Sequence, residues 1–144
     1  EKLDSEILDY TINILKSNYV ESTREINSVY ALVPIVAYIY NKNCKLSETE
    51  IKKLIKWFYY SQIKYRYVSQ LQQKLTKDLN LLKTSMDNDQ NPFDNLLQTI
   101  KEENNLTLII SEREFVGATI SNALFNLMKF YFKSKGALSF DGVK

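Results

Sequence analysis

The chain has 144 residues, a net charge of +2 at neutral pH and an apolar fraction of 44%, which is ordinary for one globular domain. It contains no histidine and a single cysteine, Cys44. These counts exclude an imidazole general base, a histidine-containing nuclease site and an intramolecular disulfide, and they leave only carboxylate-type metal sites. Three glycines and two prolines offer few tight turns. We therefore expect one compact all-α domain of about six helices over residues 1–144.

No stretch of the sequence approaches the roughly 18 to 20 apolar residues that span a bilayer. The most apolar segment, residues 29–40, contains Pro34, and the acidic first ten residues lack the basic start of a secretory leader. We therefore expect a cytoplasmic protein that makes no membrane contact. The sequence begins at Glu1 rather than methionine, which suggests a fragment of a longer protein whose flanking domains are its partners. The sequence is also compatible with a homo-oligomer.

Apolar residues at helical spacing predict the first two helices. The first is predicted at about residues 4–19 and the second at about residues 30–41. The mostly polar residues 21–27 between them predict a loop.

A break between two helices is predicted near the middle of the chain. Ser47 and Glu50 form a capping box before a third helix at about residues 48–64. The next residues are mostly aromatic or β-branched, a composition that disfavours an exposed helix. We call residues 65–69 the elbow, and we predict a helix-elbow-helix at residues 59–79.

The helix after the elbow is predicted to begin at a capping serine. The Ser69 hydroxyl can accept from the amides of a new first turn, and Gln72 can reach back to the Ser69 amide as in a capping box. Leucines then recur at spacings of four, four and three. This pattern predicts a helix at about residues 70–85.

Two more helices are predicted in the last third of the chain. The dipeptide Asn91-Pro92 is typical of a helix start and predicts a helix of about three turns. Ser111 and Glu114 form another capping box, and the last helix is predicted as one long element at about residues 112–135, the spine of the core. The apolar run 106–110 predicts either a short strand or a buried extended link.

Charge is unevenly distributed along the chain. Residues 51–86 hold eight basic residues against one acid, a net charge of +7, whereas residues 87–114 hold two bases against seven acids, a net charge of −5. Basic side chains interleaved with aromatic ones are typical of surfaces that bind nucleic acid without sequence preference. The candidates for DNA contact are Lys52, Lys53, Lys56, Lys64, Arg66, Lys74 and Lys77. The alternative is that these residues form the solvated faces of two helices, partly paired with the acidic segment.

Four consecutive aromatic residues, 57–60, cannot share one face of a helix. We therefore expect at least one or two of them to be exposed or to contact another domain. Such side chains would form a stacking platform for bases or a pocket for a flipped base. The alternative is core packing, with tyrosine hydroxyls hydrogen-bonded at the rim.

The acidic residues do not predict a metal site. Residues 87–91 alternate acids and amides as a calcium loop does, but they lack the glycine and the distal glutamate of an EF-hand. Glu112 and Glu114 are first-turn acids that complement a helix dipole. We expect no catalytic residue, no metal and no cofactor in this chain.

A pattern around the elbow resembles that of a known family. The pattern consists of Arg66, Tyr67, Ser69, Lys74, Leu75, Asp78 and Leu79. It is similar to the helical region of GmrSD-like proteins, the modification-dependent restriction endonucleases and their relatives, in which R-Y-S-G-S precedes E-T-K-L-x-x-D-L. Further residues that look like that region are Ala31, Leu32, Pro34, Lys56, Trp57, Phe58, Ala137, Ser139, Phe140, Asp141 and Gly142.

The chain also departs from that family. Val68, Ser69 and Gln70 replace its small elbow residues, and neither its Asp-Gly-Gln-Gln-Arg signature nor its His-Asn-His-type nuclease motif occurs here. The resemblance therefore implies a non-catalytic helical domain that positions the catalytic domains of a restriction or phage-defence protein and can contact DNA. The alternative is a protein-interaction or dimerisation module with no nucleic-acid contact.

Arg66 and Asp78 both belong to the family pattern and allow two interpretations. In the first, they fix the elbow together with Tyr67, Ser69 and Lys74 through hydrogen bonds to one another or to the backbone. In the second, Arg66 meets the phosphodiester backbone of DNA. We favour the structural role.

Overall fold

A computed structural model describes residues 5–116 and 122–137 of the chain. These residues form seven α-helices and two short 3-10 helices, Thr23–Glu25 and Val29–Ala31, and they contain no strand. The helices are α1 (Ser5–Ser17), α2 (Leu32–Asn41), α3 (Glu48–Ile63), α4 (Leu71–Asp87), α5 (Pro92–Glu103), α6 (Glu112–Phe115) and α7 (Ala123–Ser134). The all-α prediction is confirmed. No helix in this part of the chain is long and apolar enough to cross a membrane.

The core is built around α3. Its residues Leu54, Trp57 and Phe58 are fully buried, and each such side chain contributes roughly 1.5 to 3 kcal/mol of transfer free energy. The helix α5 packs against both α3 and α4. Phe93 of α5 lies edge-on to Tyr38 of α2, with ring centroids 5.1 Å apart, and its ring centroid is 5.5 Å from that of Trp57. This aromatic cluster joins α2, α3 and α5.

Three of the predicted helix starts are confirmed. The Ser47 amide donates to Glu50 Oε2 at 2.7 Å, and the Ser111 amide donates to Glu114 Oε2 at 2.6 Å. At the start of α5 the Asn91 side chain accepts from the backbone amide of the second helical residue. Each bond satisfies a backbone or first-turn group that would otherwise have no partner at the helix end.

The predicted capping box at Ser69 is wrong. Ser69 is exposed, and the residue that precedes α4 is Gln70, which has φ 53° and caps no amide with its side chain. A residue with positive φ changes the direction of the chain sharply. The backbone conformation of Gln70, and not a serine hydroxyl, therefore sets the start of α4.

The prediction of one long last helix is also wrong. The helix α6 ends at Phe115 because Val116 is extended, with φ −68° and ψ 115°, and residues 117–121 lie outside the described part of the chain. No residue of α6 is buried, so it lacks the apolar face that stabilises a helix through packing. The spine of the core is α3, and α7 packs against it as a separate helix of 12 residues.

The apolar run at residues 106–110 is not a strand, because residues 107–110 lie in no helix, strand or turn. The alternative of a buried link is wrong too, because Leu106 and Ile109 are 66% and 77% exposed.

We expected one or two of the aromatic residues 57–60 to be exposed or to contact another domain. None of them is exposed, and the contact with another domain stays a prediction. Trp57 and Phe58 are fully buried, and Tyr59 and Tyr60 are partly buried. The Tyr59 ring packs on Phe130 of α7, and its hydroxyl donates to a backbone carbonyl after α1. Helices pack on several sides of α3, which is why consecutive rings can all be covered.

The predicted loop at residues 21–27 contains a 3-10 helix with its own capping box and is fixed to α3 by Gln62. The buried Gln62 side chain accepts from the backbone amides of Asn27 at 2.8 Å and Ser28 at 3.0 Å. These bonds join segments that are 35 and 34 positions apart in sequence. Gln62 therefore supplies acceptors for backbone groups that no helix satisfies.

Replacing Gln62 with alanine is expected to lower the free energy of unfolding by about 1 to 3 kcal/mol, because partly buried amides lose their acceptor. Urea unfolding followed by circular dichroism measures this. Gln72→Ala is the matched control, because Gln72 is exposed on α4. Equal unfolding midpoints for the two variants would contradict a role for Gln62 in fixing the loop.

Candidate functional site

Arg66 and Asp78 form a buried, two-pronged ion pair beneath the elbow. Arg66 Nε lies 3.0 Å from Asp78 Oδ2, and Arg66 Nη2 lies 2.7 Å from Asp78 Oδ1. Each of the two side chains is 1% exposed. The Tyr67 hydroxyl donates to Asp78 Oδ2 at 2.6 Å. Asp78 on α4 thus receives three hydrogen bonds from two adjacent elbow residues.

Glu103, the last residue of α5, completes this arrangement. Its Oε2 atom lies 2.5 Å from Arg66 Nη1 in an ion pair, although the angle is not that of a directed hydrogen bond. Lys74 lies at the rim, with Nζ 3.8 Å from the same carboxylate. We call Arg66, Tyr67, Asp78 and Glu103 the elbow cluster. It connects the elbow to both α4 and α5.

The contacts of the elbow cluster shift the pKa values of Arg66, Tyr67 and Glu103. Burial lowers the pKa of Arg66, but the Asp78 and Glu103 carboxylates outweigh this effect and raise it. Burial and the neighbouring Asp78 raise the pKa of the Tyr67 hydroxyl. Burial raises the pKa of Glu103, but Arg66, Lys74 and Lys77 together outweigh burial and lower it. Arg66 is therefore charged and Tyr67 protonated at neutral pH, which does not suit proton transfer there.

Two left-handed residues flank the buried side chains. Tyr65 has φ 52° and Gln70 has φ 53°, a conformation that costs roughly 1 to 2 kcal/mol in a residue other than glycine. Arg66 and Tyr67 of the elbow cluster lie between these two positions in the sequence. Of the predicted elbow residues, Arg66, Tyr67 and Asp78 come together, Lys74 lies at the edge, and Ser69 takes no part.

Most of the residues that were predicted to contact DNA form ion pairs with acidic residues. Lys53 pairs with Asp94 of α5 at 2.5 Å, and Lys64 pairs with Glu114 of α6 at 2.9 Å. Lys52 pairs with an acid one turn earlier on α3. The partners of Lys53 and Lys64, like Glu103, come from the acidic segment 87–114, so the charge of the basic segment is largely compensated within the fold.

Arg66 is too deeply buried to contact DNA. The prediction that Arg66 contacts DNA is therefore wrong. Lys56 and Lys77 are exposed and have no ion-pair partner among the described residues. They lie on α3 and α4, and α5 packs against both of these helices. Of the seven predicted DNA contacts, Lys56 and Lys77 are therefore the two that are exposed and without an ion pair among the described residues.

A polar cleft of about 340 Å³ lies at the start of α3 and contains Glu50 and Tyr38. The Tyr38 hydroxyl donates to Glu50 Oε1 at 2.6 Å, and Lys42 Nζ lies 3.0 Å from the same oxygen. Burial raises the pKa of Glu50, but hydrogen bonds from Tyr38, Ser47 and Lys42 outweigh it and lower that pKa to about 2.

This lowered pKa predicts an acid-sensitive contribution to stability. It is fully present above the unfolded pKa of about 4.3 and is lost as the pH falls towards about 2. We expect Glu50→Gln to be less stable than the wild type at pH 7 and to differ from it progressively less below pH 4. Thermal unfolding at several pH values measures this, with the exposed Glu48→Gln as control. A constant difference between wild type and Glu50→Gln across the acid range would contradict the assignment.

Within residues 5–116 and 122–137, no group of three or more acidic or cysteine side chains is arranged to hold a metal ion. Comparisons with protein-family models, with curated proteins and with solved structures find no match to this chain.

Proposed function

We propose that this chain is a non-catalytic helical domain of a GmrSD-like restriction or phage-defence protein and that it holds flanking domains in position. One observation carries the proposal. Arg66, Tyr67 and Asp78, which belong to the sequence pattern of that family, are the residues that form the buried cluster under the elbow. Their chemistry fixes the angle between two helices, which is what a positioning domain requires.

The pairing of the lysines favours a protein-positioning role over a DNA-binding arm. Phosphate binding requires cations that are free to replace counterions. Lys53 and Lys64 would have to leave Asp94 and Glu114 to do so. Sequence-independent binding through Lys56 and Lys77 alone would be weak.

A second candidate is a protein-interaction or dimerisation module, and the outer face of α7 favours it. Phe125, Met128 and Phe132 recur at helical spacing on this face and are 37%, 37% and 54% exposed. The opposite face of the same helix is buried at Ala123 and Phe130. A helix with apolar residues on both faces is typical of one that packs against two partners.

The first test is a titration of labelled duplex and single-stranded DNA, with and without modified cytosine, by fluorescence anisotropy across a salt series. We expect no salt-sensitive binding tighter than about 100 μM. The informative variant is the triple substitution Lys52→Glu, Lys56→Glu, Lys77→Glu. Its control moves the same charge to lysines elsewhere, with Lys16→Glu, Lys45→Glu and Lys135→Glu.

Binding that weakens steeply with salt, and that only the first triple variant abolishes, would contradict the proposal and make the chain a DNA-contacting arm. Equal DNA binding by the two triple variants would be consistent with the proposal.

A further inference from the structure

The helices α1 and α2 lie side by side and run in opposite directions. Ile7, near the start of α1, lines a cleft together with Tyr40, near the end of α2. Ile12, in the second half of α1, lines a cleft of about 110 Å³ together with Leu32, the first residue of α2. The two helices also pack against each other. They therefore form an antiparallel pair with a common outer side.

The outer side of this pair is apolar. Val29, Val33 and Tyr40 follow one another at spacings of four and seven, which places them on the same side of α2 and of the short 3-10 helix before it. Leu8 and Ile12 lie one turn apart on α1. These five side chains, which we call the α1–α2 face, are 39% to 56% exposed. No residue from 26 to 41 is charged.

The α1–α2 face is large enough for a protein interface. Its five side chains expose on the order of 400 Å² of apolar surface. Each partner in a standard interface contributes about 800 Å², of which somewhat more than half is apolar. The apolar area of the α1–α2 face is therefore close to what one partner in a stable complex supplies.

The charges beside the α1–α2 face indicate which partner it fits. The helices α1 and α2 contain three charged residues between them, Glu6, Asp9 and Lys16. Asp9 and Lys16 are exposed, and neither has an ion-pair partner among the described residues. They lie seven positions apart, which is about 10 Å along one side of the helix. Their charges are opposite, and Ile12 lies between them.

A second copy of the chain matches this pattern when its α1 runs antiparallel to that of the first. A twofold axis beside Ile12 brings Asp9 of each copy opposite Lys16 of the other. A parallel arrangement would place like charges together, which is unfavourable. The third charge, Glu6, would lie beyond Ser17, the last residue of α1 in the second copy, and would meet no charge of that helix.

The same axis also makes α2 complementary to itself. Since α1 and α2 are antiparallel, an axis beside the middle of α1 crosses α2 near Val33. Tyr40 of each copy then lies opposite Val29 of the other, and an aromatic ring meets an aliphatic side chain at each end of the interface. The unpaired bases Arg24 and Lys45 lie in the loops before and after α2, at the rim, where water and salt screen charge.

We propose that the α1–α2 face is the interface of a twofold-symmetric dimer, in which α1 and α2 of each copy pack antiparallel on the same helices of the other. The apolar side chains supply the affinity. The pairs of Asp9 with Lys16 set the orientation, because exposed ion pairs add little affinity. The dimer does not depend on the proposed function, and it uses a different surface from the outer face of α7.

The test is sedimentation velocity of the full chain at about 1 to 300 μM, where we expect a dimer with a Kd of about 100 μM or below. Asp9→Lys and Lys16→Asp each place like charges opposite one another, and each should raise the Kd about tenfold at low salt. The double variant, Asp9→Lys with Lys16→Asp, should recover the wild-type Kd. The two single variants, when mixed, should form a heterodimer more tightly than either forms a homodimer.

Ile12→Ser should raise the Kd by about tenfold or more, because it removes an apolar side chain beside the axis. Phe132→Ser, an equivalent change on the outer face of α7, is the matched control and should leave the Kd unchanged. Circular dichroism establishes whether Ile12→Ser folds, and the charge variants decide the question if it does not.

A monomer throughout the concentration range would overturn the proposal. So would single charge variants that associate as the wild type does, a double variant that does not recover, or a dimer that Phe132→Ser dissociates. The DNA titration tests the proposed function separately, so the failure of one is distinguishable from the failure of the other.

Discussion

Replacing Asp78 with alanine is expected to lower the free energy of unfolding by about 3 to 5 kcal/mol. The substitution leaves the Arg66 guanidinium buried without the carboxylate that accepts two of its hydrogen bonds. It also leaves the Tyr67 hydroxyl without its acceptor. Denaturant unfolding followed by far-ultraviolet circular dichroism measures the loss.

Asp87→Ala is the matched control, because Asp87 is an exposed acid at the other end of α4. A double variant, Arg66→Met with Asp78→Leu, removes both charges at once and is expected to be more stable than Asp78→Ala, since no unpaired buried charge remains. A loss of less than about 1 kcal/mol in Asp78→Ala, the range of an exposed pair, would contradict the buried geometry of the elbow cluster.

The second large effect is expected from Phe93→Ala, at about 3 to 5 kcal/mol. Phe93 is 1% exposed and contacts the rings of Tyr38 and Trp57. Its removal leaves a cavity where α2, α3 and α5 meet. The surrounding helices can collapse only partly into such a space, so both transfer free energy and packing are lost.

The single tryptophan gives a direct readout of this core. Trp57 is fully buried, and its indole nitrogen has no hydrogen-bond acceptor among the described residues. We expect its emission to shift to longer wavelength at a lower urea concentration in Phe93→Ala than in the wild type. Phe132→Ala, a truncation of an exposed ring on α7, is the control. Equal midpoints for the two variants would contradict the packing of α5 on α3.

Local signals in the sequence predicted local structure well. The starts of α3, α5 and α6 depend on a side chain that reaches an amide two or three residues away, so Ser47, Asn91 and Ser111 could be recognised from spacing alone. The start of α4 could not, because a left-handed Gln70 and the buried contacts of the elbow determine it. The position of Ser69 in the sequence predicts neither the left-handed Gln70 nor these buried contacts.

The interpretation of the charged residues depended on tertiary structure. Lys53 and Asp94 are 41 positions apart, and Lys64 and Glu114 are 50 apart. Only the packing of α5 against α3, and the path of the chain after α5, bring these pairs together. The sequence indicated partial pairing as one alternative, but it did not indicate which lysines would have partners.

The split of the last helix has a similar cause. A capping box was present at Ser111, but residues 112–115 have no buried side chain, and a correct cap does not extend a helix that lacks an apolar partner. Val116, β-branched and extended, ends it.

The most direct measurement of the central claim, that Arg66 is a buried structural residue, is the thermal unfolding temperature of Arg66→Ala. The variant leaves Asp78 buried without its ion pair and should lose about 3 to 5 kcal/mol. For a chain of this size we expect the unfolding temperature to fall by roughly 10 °C or more. An unchanged unfolding temperature, with DNA binding present in the wild type and lost in the variant, would contradict the account and make Arg66 a phosphate contact.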